Sequence, residues 1–330
     1  MNENEIKFLI IRFSSIGDIV LTTPVIRGIK QQVDGAVVHY LTKPQYASIL
    51  ESNPYVDKVH TLNSFQSTIN ELKDEGFDYL IDLHKNIRTY RFKHKLKVLD
   101  FSFHKYNKEK WLLVNFKKNN LPNKHIVDRY LESVSVFDVN NDGMGLDYFI
   151  PDNISYNIKD KLIISEPYVA FAIGGQHETK KLPAENIKEL CQGINAPLIL
   201  LGGKEDFENG EIISKDLKNV INLCGKTSLD ESAHIVRQSS IVISHDTGLM
   251  HIAAAFKKNI VSIWGNTIPE FGMYPYLPGE NSKIFEVKNL KCRPCSKIGH
   301  AKCPKKHFDC MKKQNFKEII EHVNKFIGND

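Results

Sequence analysis

The chain of 330 residues lacks the two glycine-rich signatures that most often announce phosphate chemistry in an α/β protein. Neither G-x-G-x-x-G nor G-x-x-x-x-G-K-[ST] occurs, which argues against a dinucleotide-dependent dehydrogenase and against a P-loop phosphotransferase. No H-E-x-x-H pair is present, so the commonest zinc-protease pattern is absent too. No apolar run approaches the ~18 residues of a spanning helix, and Met1-Asn-Glu-Asn-Glu-Ile6 has neither the basic nor the apolar region of a signal peptide. Cysteine is sparse. Cys191 and Cys224 stand alone while the other four crowd between 292 and 310, which reads as a local device rather than a disulfide framework. The expectation is a cytoplasmic protein.

What is present is ordinary in amount and uneven in placement. The length exceeds what one hydrophobic core usually organises, so two domains are expected. The net charge is +5, yet residues 84–118 alone carry +9 and residues 288–313 carry +8. The remaining residues therefore stand at −12, an asymmetry that points to an acidic partner. Phosphorylated glycolipid, an anionic membrane surface and nucleic acid are the candidates, against a solvated basic face with no partner. In the first block Arg88, Arg91, Lys93, Lys95 and Lys97 are interleaved with Tyr90 and Phe92, a mixture that can hold phosphate and rest on sugars or a bilayer surface.

The hydrophobic pattern alternates short apolar runs with helical periodicity. Phe8 to Ile11, Ala36 to Leu41, Val56 to Leu62 and Tyr79 to His84 read as strands in the first half. Tyr168 to Ile173, Pro197 to Leu201, Val220 to Leu223, Ile241 to Ser244 and Ile260 to Trp264 do so in the second. Helices are expected from Ser67 as cap to Gly76, over His125 to Phe137, after the capping box Ser228-Leu-Asp-Glu231, over Leu249 to Phe256 and over Phe316 to Ile327. This grammar predicts an α/β protein with two Rossmann-like parallel-sheet domains facing a cleft. The domains are expected at 1–160 and 161–312, with 313–330 as a helix packing back across both.

In open α/β sheets ligands collect where strands end and helices begin. The turn Ser14-Ser-Ile-Gly-Asp18 follows the first strand, and Asp18 reads either as a helix cap or as a reactive carboxylate. Thr23 as cap with Pro24 at the first helical position already explains a helix start, which favours the second reading. In the other half Asp246-Thr-Gly248 opens a helix whose amides and dipole could take a diphosphate. Thr247 would add a donor and Asp246 would accept from a sugar hydroxyl. Gly174-Gly175 and Gly202-Gly203 end strands and suit a close phosphate approach. Lys180 and Lys181 follow the first of these pairs, where a lysine could neutralise a leaving diphosphate. His251 could face the same ligand or pack within its helix.

Arg12-Phe-Ser-Ser-Ile-Gly-Asp-Ile-Val-Leu-Thr-Thr-Pro24, Ser244-His-Asp-Thr-Gly-Leu-Met-His-Ile-Ala-Ala-Ala255 and Trp264-Gly-Asn-Thr267 together resemble glycosyltransferase family 9, the heptosyltransferases of lipopolysaccharide core synthesis. The resemblance implies a GT-B fold with the acceptor on the N-terminal domain and the nucleotide sugar on the C-terminal one. It also implies an inverting transfer without metal, from a donor such as ADP-heptose. By position Asp18 matches the family's base, Lys180 its donor-phosphate lysine, Asp246, Thr247 and Gly248 its donor loop, and His251 the nearby histidine. Asp230 falls where relatives place an acid for the ribose, with Asp in place of Glu, and Leu182 replaces an aromatic. Ser15 and Gly17 of the opening turn, with Lys85, Arg88 and Arg91, are the candidate acceptor contacts.

A sugar-nucleotide epimerase of similar fold and a non-catalytic binder of sugar nucleotide or nucleic acid are the rival readings, nucleic acid being the less favoured partner. The expected partners are thus a nucleotide-sugar donor, a phosphorylated glycolipid acceptor and the inner membrane face, touched peripherally. Cys292, Cys295, Cys303 and Cys310, with His300 and His307 among them, suggest a structural zinc or else buried free thiols. No cofactor is expected in the transfer itself.

Overall fold

A computed structural model describes residues 5–154, 156 and 167–328. They belong to two compact units, Met1–Lys105 with Lys124–Phe149 and Tyr106–Asn123 with Ile150–Asp330. The expected boundary at 160/161 lies outside the described residues.

The first unit is built on five parallel strands in the order β3-β2-β1-β4-β5. Their ranges are β1 Ile6–Ile11, β2 Ala36–Thr42, β3 Lys58–Thr61, β4 Tyr79–Asp82 and β5 Leu99–Ser102. Helices cover both faces of such a sheet, so its central strands read as continuous apolar runs. Leu9, Ile11, Phe13, Leu41, Ile69, Leu72, Leu80 and Phe92 make one buried cluster. Two caps differ from expectation. The helix Thr23–Gln32 is capped by Thr22 rather than Thr23, so Pro24 is its second residue. The helix Phe65–Glu75 is capped by Ser64, whose hydroxyl accepts from the Ser67 amide, and it ends on Gly76 at φ 68°, a left-handed conformation open to glycine.

The first basic block contains the helix Ile87–Leu96 and the edge strand β5, neither of which its sequence announces. Only Thr89 and Phe92 of that helix are buried, and β5 is exposed or half-exposed throughout. An edge strand that buries little shows little apolar pattern. Beyond it, the turn-rich stretch after Phe137 is fastened to the first unit by Arg27. Its guanidinium donates to both carboxylate oxygens of Asp142, to the Gly145 carbonyl and to Asp147.

The second unit holds six parallel strands in the order β11-β10-β9-β6-β7-β8. They are β6 Val169–Ala172, β7 Leu198–Leu201, β8 Val220–Asn222, β9 Ile241–His245, β10 Asn259–Trp264 and β11 Lys283–Glu286. Ile319 and Val323 of the terminal helix Phe316–Ile327 join this unit's core, and Ile320 lies against Gly193, where a Cβ would sit 2.5 Å from its Cδ1. Leu113, from the helix Asn107–Phe116, is buried with Ile268 and Phe271 in the same unit.

In both sheets the strand order reverses beside the first strand, between β1 and β4 and between β6 and β9. Such switch points open a crevice at the strands' carboxyl ends. Asp18 follows β1, Lys180 follows β6 and Asp246 follows β9.

Away from both points, β2 and β3 bring His39 and His60 together, Nδ1 to Nε2 at 3.0 Å. Glu71 takes the His60 Nδ1 side at 2.5 Å, and Glu75, paired with Lys58, lies 3.9 Å from His39. Burial, and next the neighbouring His60, push the His39 pKa down to about 4, with Lys58 and Lys7 acting in the same direction and Glu75 against it. The unfolded chain therefore binds more protons than the folded one below pH ~6.5. This contribution to stability is complete above pH ~6.5 and is lost as the pH falls toward 4. Urea unfolding is expected to show a loss of stability between pH 7 and pH 5 that is smaller in His39→Gln. It would shrink rather than vanish, because burial also lowers His84 and His245. An unchanged pH slope in the variant would contradict this.

Candidate active site

Asp18 is not the N-cap residue, yet it takes part in capping by closing a capping box with Ser15. It is the third residue of the short helix Ile16–Val20, whose cap is Ser15. Its Oδ2 accepts from the Ser15 amide at 3.2 Å and the Ser15 hydroxyl at 2.8 Å, and its Oδ1 faces Arg12 Nη2 at 2.5 Å. A carboxylate offers about four lone-pair sites, so one on Oδ1 remains after these contacts. The side chain is 22% accessible, enough for a hydroxyl to reach. Burial alone would raise the Asp18 pKa, but the Arg12 charge and the Ser15 hydrogen bonds outweigh it and hold the group below its usual 3.8.

Arg12 is the part of this site that sequence reasoning leaves without a role. Its signal is an arginine closing an otherwise apolar strand, six residues before an aspartate. Besides Asp18 it donates to the carbonyls of Ser14 and Leu83 and to the Tyr130 hydroxyl. Burial opposes its charge, yet the adjacent Asp18 carboxylate raises its pKa above the ordinary value. His84, just after β4, stacks its ring 5.1 Å from Phe13 and keeps a buried Nδ1 without a hydrogen-bond partner. Burial and then the Arg12 charge hold His84 neutral, at about 4. Lys105 is lowered by the same two causes and also feels Asp18. The ionised Asp18 thus sits, with Asp82 also in range, near Arg12, Lys105 and a neutral histidine.

The other proposed acceptor residues lie on nearby elements. Gly17 is buried in the same short helix as Asp18. Lys85 donates to the Phe103 carbonyl at 2.9 Å, Arg88 lies over the Phe13 ring at 5.8 Å and Arg91 over Phe65 at 4.2 Å. Lys93 is committed inward, to Asp82 at 3.2 Å and Asp100 at 2.6 Å.

In the second unit the two switch-point turns meet. Lys180 Nζ pairs with Asp246 Oδ2 at 2.6 Å, and the Thr267 hydroxyl donates to the same oxygen at 3.1 Å. Thr247 caps the helix Gly248–Ala255 through its backbone, while its hydroxyl pairs with Ser244 Oγ at 3.2 Å. His251 is buried in that helix. Asp230 stands in the first turn of the helix Leu229–Gln238, after the expected Ser228–Glu231 capping box.

Two glycines serve packing rather than an open approach. A Cβ on Gly174 would meet Asp206 Oδ2 at 2.5 Å and one on Gly202 would meet Asp206 Cβ at 2.9 Å. Asp206 itself accepts from the Gly203 amide and pairs with buried Lys181 at 3.2 Å. The Leu182 amide donates to His245 Nε2, which burial keeps neutral. Lys180 is therefore presented from a turn anchored by its neighbour.

The cysteine-rich segment braces the same turns. Arg293 donates to the carbonyls of Gly265, Thr267 and Val287 and pairs with Glu286. The Cys295 amide donates to Asn266, and the His300 amide to the Thr179 hydroxyl. Cys292, Cys295, Cys303 and Cys310, the residues expected to hold zinc, stand close enough that Cys292 and Cys303 add to the burial that raises the Cys295 and Cys310 thiols. All four are free thiols; Cys310 is buried in the unit's core, whereas Cys292, Cys295 and Cys303 are half-buried. Cys292 Sγ faces His307 Nε2 at 3.8 Å. Among the described residues the one group of three potential metal ligands within 4.8 Å of each other is His39, His60 and Glu75. Among the described residues the one set of three such ligands so close is not in this segment, and a structural zinc on Cys292, Cys295, Cys303 and Cys310 stands as a proposal beside free thiols.

Two parallel-sheet units with switch-point turns of this kind form the GT-B class of glycosyltransferase fold. The profile of glycosyltransferase family 9 (heptosyltransferase) matches residues 65–306, and the chain belongs to that family. Lipopolysaccharide heptosyltransferase 1 of Campylobacter coli is 24% identical over 299 residues, 79% of this chain and 84% of the relative. The solved structure of E. coli ADP-heptose lps heptosyltransferase II aligns with a TM-score of 0.75 at 16% identity, covering 98% of this chain and 99% of that one. E. coli heptosyltransferase WaaC with ADP aligns at 0.68 and 18% identity, covering 97% and 100%.

The Arg12 assignment has a direct consequence. In Arg12→Met, carbon-detected NMR of the aspartates is expected to show the Asp18 carboxyl titrating at least about one pH unit higher than in the parent protein, because the opposing charge is gone while burial persists. An Asp18 titration that does not move would assign its ionisation to Ser15 alone.

Proposed function

We propose that the protein transfers a heptose-type sugar from ADP-heptose to a lipopolysaccharide-core-type acceptor, with inversion at the anomeric carbon and without a metal ion in the step. The observation that carries this reading is the placement of opposite chemistries at the two switch points. One holds an accessible ionised carboxylate among cations, and the other holds a lysine paired to an aspartate at a helix start.

In the first unit Asp18 Oδ1 accepts the proton of the acceptor hydroxyl as its oxygen bonds to the anomeric carbon. A carboxylate so far below neutrality is too weak to ionise a sugar hydroxyl in advance, so proton transfer comes late, as the forming bond acidifies the hydroxyl. Arg12 keeps Asp18 charged until that moment. Arg12 and Lys105 also favour an acceptor that carries negative charge, as a phosphorylated glycolipid does. In the second unit the anomeric carbon–oxygen bond to the diphosphate breaks, and the electron pair leaves with ADP. Lys180 and the amides opening Gly248–Ala255 stabilise that charge. The pair with Asp246 holds Lys180 in position, while Asp246 and Thr267 remain available to sugar or ribose hydroxyls. The cysteine-rich segment enters as a brace, and the transfer step draws on none of its thiols.

Purified protein incubated with ADP-heptose, with and without a lipopolysaccharide-core lipid, tests the reading. ADP release that depends on the acceptor is expected. Lys180→Ala should weaken ADP binding by about 10- to 100-fold, the loss of one charge-assisted contact. Isomerisation of the donor without acceptor would favour an epimerase, and tight binding without turnover a non-catalytic binder.

A further inference from the structure

The two basic blocks, far apart in sequence, do not remain separate in the fold. The first is divided between the units. Lys85, Arg88, Arg91 and Lys93 belong to the first unit and are engaged there by a carbonyl, aromatic rings and aspartates. Its second half, from Tyr106 onward, belongs to the second unit. There Lys117, at the end of the helix Asn107–Phe116, donates to the carbonyls of Cys292 and Pro294 at 3.3 and 2.6 Å. These bonds set the end of one basic block against the start of the other. Lys108, Lys117 and Lys118 on one side, and Lys291, Lys297, Lys302, Lys305 and Lys306 on the other, are all exposed.

Large apolar side chains stand exposed beside these lysines. Trp111 is 50% accessible, Phe116 59% and Ile298 64%. Trp111 and Phe116 pack edge to face with their ring centres 5.3 Å apart, so each stiffens the other while both stay in solvent. Leu113 of the same helix is buried against Ile268 and Phe271, which roots the pair in the unit's core.

Three partners could meet such a surface, and its composition separates them. A protein interface core is depleted in lysine, whereas this surface is dense in it. Specific phosphate or nucleic-acid recognition favours the arginine fork, and the one arginine here, Arg293, spends its donors on backbone carbonyls inside the fold. Lysine point charges around an exposed Trp–Phe pair match instead a diffuse anionic plane with an apolar layer beneath it.

We propose that this face of the second unit seats the protein on an anionic lipid bilayer, with Trp111 and Phe116 entering the headgroup region and the lysines of both basic blocks lying over lipid phosphates. The proposal deepens the lipid-borne acceptor of the preceding section and rests on that reading for its purpose, but its test needs no sugar transfer.

Trp264, the second tryptophan, is buried, so Trp111 dominates any change in solvent exposure that fluorescence reports. The full chain is mixed with vesicles of phosphatidylglycerol and phosphatidylcholine in equal parts, and separately with phosphatidylcholine alone. Sedimentation with the anionic vesicles only, weakening as salt rises, is expected. The Trp emission should move to the blue and its quenching by acrylamide should fall. The double variant Trp111→Ser, Phe116→Ser should partition about tenfold or more weakly, and Lys108→Glu with Lys118→Glu should lose the preference for anionic vesicles. ADP affinity should be unchanged in both, which separates loss of docking from loss of fold. Equal binding to both vesicle types, or no binding to either, would overturn the proposal. So would binding that leaves the Trp111 emission unchanged, or retention of duplex DNA in place of vesicles. Vesicle docking with no acceptor-dependent turnover would sink the transferase reading and leave the surface standing.

Discussion

The ion pair between Arg12 and Asp18 is the interaction on which the rest of the first unit's chemistry depends. A carboxylate withdrawn from water tends to take up a proton, and an isolated buried guanidinium is equally costly. Set 2.5 Å apart, each keeps the other charged, and the Ser15 amide and hydroxyl satisfy the carboxylate's second oxygen. The arrangement needs β1 to end where it does, between β2 and β4, because Arg12 reaches across to the Leu83 carbonyl beyond β4 and to Tyr130. Sheet order thus sets the contacts that keep Asp18 ionised.

The second unit places its own pair of opposite charges, Lys180 and Asp246, at its switch point. Lys180 and Lys181 are adjacent in sequence and divide the work. Lys181 turns inward to Asp206 and fastens the turn to the neighbouring strand end, which leaves Lys180 to face Asp246 at the switch point. The turn carrying Thr267 is fixed from behind by Arg293, and the turn carrying Thr179 by His300. A segment whose cysteines suggest a metal device therefore also clamps the turns that carry Thr179 and Thr267.

Legibility in the sequence followed burial. Strands with both faces covered, such as Phe8 to Ile11 and Leu198 to Leu201, show themselves as apolar runs, and from them the two-domain parallel-sheet class is readable. The capping box at Ser228 was legible because both partners sit at fixed spacing. The helix starts at Thr22 and Ser64 differ from those expected because neighbouring Ser and Thr residues offer the same cap chemistry and only the backbone chooses between them. β5 leaves no mark in the sequence because an exposed edge strand has no apolar side to reveal. The spacing of Cys292, Cys295, Cys303 and Cys310 suggests a zinc site, and the fold draws Cys310 into the core while it leaves the other three half-buried. The positions of Asp18, Lys180 and Asp246 at strand ends were legible. Arg12, His84 and Lys105 were not, since their importance comes from contacts between elements distant in sequence.

The central claim is that Asp18, kept ionised by Arg12, receives the proton of the acceptor hydroxyl. The most direct measurement is the single-turnover transfer rate of Asp18→Asn with donor and lipid acceptor both saturating. A fall of about 10²- to 10⁴-fold with ADP affinity unchanged is predicted, the range expected for loss of a general base. A rate within a fewfold of the parent protein would contradict it.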